Sequence, residues 1–65
     1  MTNKVAERKL NIFLETGPKS TDEVYNHLNK KLSWGITMSE LGYLLNKKAR
    51  IVMTIETTHY WGNKP

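Results

Sequence analysis

"STDEVYNHLNKKLSWGITMSELGYLLNKK", residues 20–48, carries the same local signal twice. Ser20 with Glu23, and Thr37 with Glu40, have the spacing of a capping box. In that motif a hydroxyl accepts from a backbone N–H three residues on, and the carboxylate reaches back to the cap N–H. Each pair predicts a helix start, one near Thr21 and one near Met38, and Asp22 adds charge favourable to the first dipole. Between them "KLSWGIT" breaks the helical period. Gly35 suits positive φ, and Trp34 and Ile36 are expected to fold under as a lid on the core.

In the helix from Thr21, Val24 and Leu28 face inward, Tyr25 and Leu32 lie at the margins, and Asn26, Asn29 and Lys30 face water. His27 falls near the polar boundary and reads as a surface histidine. In the helix from Met38, steps of 100° put Met38, Leu41, Leu44 and Leu45 on a core side. Ser39, Tyr43, Asn46 and Lys47 fall opposite. Gly42 costs that helix about 1 kcal/mol relative to Ala; it would permit close approach of another helix or of a DNA backbone, and helix packing is the expected reason.

Upstream, Ala6, Leu10, Phe13 and Leu14 form one stripe over residues 4–16, which Val5 and Ile12 are expected to widen, with a small dimer seam as the alternative. Gly17 and Pro18 stop that helix. Downstream, "RIVMTIETTHYW" (50–61) is rich in β-branched and aromatic residues, with Ile51, Met53 and Ile55 alternating with Val52 and Thr54. It predicts a strand, a turn over Glu56 to Thr58, and a return through His59, Tyr60 and Trp61. An extended piece near Lys19 can add a third strand. Residues 1–3 and 62–65 read as frayed ends of a single domain spanning 1–65.

The 65 residues include 38% hydrophobic and 25% charged side chains, a globular balance at a size that must fold economically. With no Cys and two His, neither disulfides nor a structural zinc is expected. A formal charge of +4 and a pI near 9.6 favour an anionic partner. No glycine-rich phosphate loop, zinc-protease motif or nucleophile–histidine–acid set appears, so no enzyme, cofactor or small-molecule substrate is expected. No apolar run is long enough for a membrane span. The polar N-terminal stretch, with Glu7 and Glu15, fits neither a secretory leader nor a transit peptide. The expected location is the cytoplasm, with the nucleoid.

Helix, short strand, helix, turn, helix and β-hairpin is an α+β order (α-β-α-α-β-β) that resembles the winged helix-turn-helix family over nearly the whole chain. "GPKSTDEVYNHL" is similar to the family's cap and second helix, "TMSELGYLLNKKARI" to its recognition helix and exit, and "IVMTIETTHYW" to its wing. The resemblance implies a double-stranded DNA-binding module and a transcriptional regulator, with helix 38–48 in the major groove and residues 51–61 as the wing.

On that layout Ser39, Tyr43, Asn46 and Lys47 would meet base edges, with Asn46 able to pair with adenine and Lys47 with guanine or phosphate. Lys19, Lys30, Lys31, Lys48 and Arg50 would take phosphates. The wing tip "ETTH" has no Lys or Arg, so its phosphate contacts should be weak. Strong specificity would need a second half-site, hence a homodimer or a protein partner. The rival expectation is a winged-helix protein-interaction module, docking on a larger nucleic-acid-processing assembly through Tyr60 and Trp61. A minor one is a Z-form nucleic-acid-binding winged domain. Tyr43 and Trp61 fit that pattern, whereas Ser39 stands in place of its Asn, and Thr58 with His59 in place of its prolines.

Overall fold

A computed structural model describes residues 4–64; the expected frayed ends at 1–3 and at 65 lie outside them. The elements are α1 (Lys4–Leu14), β1 (Lys19–Ser20), α2 (Thr21–Lys31), α3 (Met38–Lys48), β2 (Ala49–Ile55) and β3 (Thr58–Asn63). The three strands form one antiparallel sheet in the order β1-β3-β2. This is a small α+β fold whose element order is compatible with a winged-helix layout.

Both capping boxes form. Ser20 Oγ accepts from the Glu23 N–H at 3.2 Å while the Ser20 N–H donates to Glu23 Oε1 at 3.0 Å. The corresponding distances at Thr37 and Glu40 are 3.1 and 2.9 Å. The backbone hydrogen bond is the largest cause holding each carboxyl below its ordinary pKa. At the end of α1, Gly17 takes φ 122° and its N–H returns to the Leu14 carbonyl at 3.1 Å.

Three helices supply most of the core: Ala6, Leu10 and Leu14 from α1, Val24 and Leu28 from α2, and Leu41, Leu44 and Leu45 from α3. The sheet adds Ala49 and Trp61. Trp61 is the joint between the layers. Its backbone lies opposite Lys19 on β1 and Ile51 on β2, and its indole Nε1–H donates to Thr21 Oγ1, in the first turn of α2, at 2.8 Å.

Several expectations are corrected. Trp34 is no lid: its side chain is fully exposed, and only Ile36 of that pair packs against the core. Asn29, assigned to water, is half-buried and pins the turn instead, its Nδ2 donating to the Tyr25 carbonyl at 2.9 Å and its Oδ1 accepting from the Ile36 N–H at 3.0 Å. Gly35, at φ 71°, passes so close that an added Cβ would sit 2.6 Å from that Oδ1. The polar side chain thus organises the turn that the indole was expected to organise.

Val5 and Ile12 do not widen the core; each is more than half exposed. Met38 is half exposed, because the first turn of α3 projects beyond the core that Leu41 begins to fill. His27 is half-buried, stacked on Phe13 with ring centroids 3.8 Å apart. Burial first, then Lys31, Lys30 and Lys9, hold its pKa below the ordinary value, which favours the uncharged ring. Gly62 and Asn63 are not frayed. They complete β3 opposite Arg50 and Ala49, and Asn63 Nδ2 donates to the Asn11 carbonyl at 3.2 Å.

Replacing Asn29 by Ala should cost about 1–3 kcal/mol, since it leaves a half-buried Ile36 N–H without its acceptor. In a domain this small, each kcal/mol lowers the melting temperature by roughly 4–8 °C, so thermal unfolding followed by far-UV circular dichroism reads the loss directly.

Candidate nucleic-acid interface

The outward side of α3 follows from its capping. Thr37 and Glu40 set the helix phase, Leu41, Leu44 and Leu45 sink into the core, and Ser39, Tyr43, Asn46 and Lys47 are left exposed. Tyr43 is 56% exposed, and Lys47, one turn later, holds its ammonium 5.8 Å from the phenol ring centroid. That contact keeps a cation and a hydrogen-bonding ring side by side. Gly42 lies among these residues by helical spacing, three from Ser39 and four from Asn46. An added Cβ there would meet nothing within 4 Å, so the expected helix packing at Gly42 is absent.

The cations divide by what they already touch. Lys30 and Lys31 are exposed at the end of α2, and Arg50 is exposed at the start of β2. Lys48 instead pairs with Glu7 of α1 at 3.3 Å, a link between the end of α3 and α1. Lys19 donates to Thr16 Oγ1 at 2.8 Å and to the Gly17 carbonyl at 3.2 Å, with its ammonium 5.1 Å from the Phe13 ring centroid. Both charges are therefore engaged in structure. Lys64 was missed: exposed, it donates to the Asn46 carbonyl at 3.1 Å and so brings a cation to the end of α3. Only the β2–β3 register places it there, and no periodicity in the sequence points to it.

The wing differs from the simple alternation expected. The register shifts between Ile51 and Met53, making Val52 an extra residue. Val52 fills the space beside Gly62 where a Cβ would be, 2.9 Å from Cγ1. Gly62 and Tyr60 share the sheet face opposite Trp61, so Val52 and Met53, the latter paired with Tyr60, both emerge on that outer face. Ile51, Val52, Met53 and Ile55 are each 40–54% exposed. At the tip, Glu56 takes φ 56° and Thr54 Oγ1 lies 3.1 Å from His59 Nδ1. The expected aromatic docking pair is corrected as well: Trp61 is buried, and the apolar surface of the wing is aliphatic. The Z-form pattern accordingly keeps only Tyr43 at the surface.

Among the described residues, no group of three or more His, Asp or Glu side chains is placed to hold a metal ion, and no helix is long and apolar enough to cross a membrane. No protein-family model, curated protein or solved structure matches this chain.

Proposed function

We propose that this chain is a small winged-helix DNA-binding protein, a transcriptional regulator working in the cytoplasm on nucleoid DNA. α3 enters the major groove and presents Ser39, Tyr43, Asn46 and Lys47 to base edges. Lys30, Lys31, Arg50 and Lys64 meet phosphates, and Lys48 and Lys19 support the scaffold that aims them. The observation that carries the reading is the outer face of α3, where exposed polar groups surround a glycine that the domain's own packing does not require. Glu40 keeps a negative charge beside this face and weakens phosphate contact there, and its place is explained by the cap of its own helix.

Affinity for a random duplex measured across salt concentrations tests the reading. Four or five phosphate contacts give a slope of log K against log salt of about −4. Absence of duplex binding at low salt would sink it.

The aliphatic wing favours a second reading, in which the chain docks on a protein of a larger nucleic-acid-processing assembly. Ile51, Val52, Met53 and Ile55 are poor groups for a phosphate backbone and suitable ones for an apolar partner surface. The two readings are compatible, since a lone domain gains specificity from a second copy or a partner. In the second reading alone, the duplex titration is flat.

A further inference from the structure

Trp34 is the most exposed large apolar side chain among the described residues, with 100% relative accessibility. It is not on a loose loop. On one side the Gly35 N–H donates to the Leu32 carbonyl at 3.1 Å; on the other the Ile36 N–H is held by Asn29 Oδ1 at 3.0 Å. The turn therefore holds an indole out in water on a stiff support, where both ring faces are open to a ligand.

The surroundings narrow the ligand. A shallow groove of about 230 Å³ is lined by the indole together with Val5, Leu32, Ser33 and Gly35. It is smaller than the roughly 300–1,000 Å³ of an enclosing small-molecule pocket, and matches a flat group laid against the ring. Lys30 and Lys31 end the helix that leads into the turn, and Lys4 and Arg8 flank Val5 on α1. A flat ligand carrying negative charge on a flexible chain answers both features, which is the chemistry of an unpaired nucleotide.

We propose that Trp34 is a stacking platform for an unpaired nucleobase, forming a single-strand contact that lies off the groove-reading face of α3 and shares Lys30 and Lys31 with the phosphate contacts of a duplex. It deepens the nucleic-acid reading by naming a second form of the ligand, and it does not depend on α3 meeting a duplex. A protein carrying both surfaces would favour DNA with an unpaired segment beside a duplex, such as an opened or frayed site.

The test is fluorescence titration of the wild-type chain with a 12-nucleotide oligothymidylate and with a blunt 12-base-pair duplex. Stacking quenches an indole, and Trp61 is buried, so the single strand should quench the exposed-tryptophan emission and the duplex should not. Trp34→Ala should abolish that quenching and weaken single-strand binding about 5- to 150-fold, the range for one stacked base. Trp34→Phe should recover part of it, and duplex affinity should stay within about twofold. Because the indole is fully exposed, the Ala variant should melt at the wild-type temperature, so a missing signal reports a missing stack and not an unfolded chain.

Unchanged single-strand affinity in Trp34→Ala would overturn the proposal, as would quenching by anionic phosphatidylserine vesicles but not by the oligonucleotide. If duplex binding is absent while Trp34-dependent quenching persists, the α3 reading falls and this one stands. The reverse result removes only this one.

Discussion

Trp61→Ala should leave a large part of the chain unfolded at 37 °C. Truncating a buried aromatic costs about 3–5 kcal/mol, and a domain of this length carries roughly 3–10 kcal/mol in total. The cost should fall towards the upper end, because one indole serves three purposes. It fills the core beneath the sheet, lies in the strand that joins β1 to β2, and satisfies Thr21 Oγ1 beside the cap of α2. Trp61→Phe keeps most of the apolar volume and loses the hydrogen bond, so it should cost far less, on the order of 1 kcal/mol beyond its packing change. Urea unfolding followed by far-UV circular dichroism separates the two variants. If Trp61→Ala instead unfolds like the wild type, Trp61 is not the joint between sheet and helices. Any partner binding that disappears in that variant should disappear through unfolding, whereas truncating an exposed wing residue should weaken a partner and leave the fold intact.

The contrast between Trp34 and Trp61 marks where local reading of the sequence ends. Helix starts were legible because a capping box is complete within four residues, and Gly17 with Pro18 stopped α1 by the same local logic. Leucine spacing gave the core side of α3 from Leu41 onward. Which tryptophan is buried is decided by long-range placement. Trp61 is drawn in by the register that sets it opposite Lys19 and by Thr21, forty residues away. Trp34 stands outside a turn pinned by Asn29, a residue whose polarity suggested water.

The wing shows the same limit. An alternating pattern assumes an unbroken ladder, and neither Gly nor Pro marks the extra residue at Val52. Val52 and Met53 consequently stand on the outer face, and Ile51, opposite Trp61, and Ile55, near the tip, are exposed as well where a half-buried strand was expected. On the candidate interface, the polar face of α3 was readable from 100° steps. Lys64 was not, because it arrives there through strand pairing, and Lys48 and Lys19 gave no sign that Glu7, Thr16 and Gly17 would occupy them.

Gly42→Ala should move stability and duplex binding in opposite directions. Glycine inside a helix costs about 1 kcal/mol relative to alanine. Nothing inside the domain offsets that cost, since the space above Gly42 is open. The substitution should therefore raise the melting temperature by several degrees. On the proposed function the same methyl intrudes where α3 lies closest to the groove, between Ser39 and Asn46, and duplex affinity should fall.

Tyr43→Ala provides the companion result. It removes an exposed ring and should leave stability nearly unchanged, while the preference among duplex sequences falls about 5- to 150-fold, equivalent to about 1–3 kcal/mol of base discrimination. Lys30→Ala differs in kind: it should weaken all duplexes about equally and flatten the salt slope by about one unit. Thermal melts combined with competition binding between two duplexes distinguish these patterns. A Gly42→Ala protein that gains stability and binds duplex as tightly as before would mean that α3 does not approach DNA along this face. The glycine would then need another explanation, and the aliphatic wing would become the stronger candidate for the working surface.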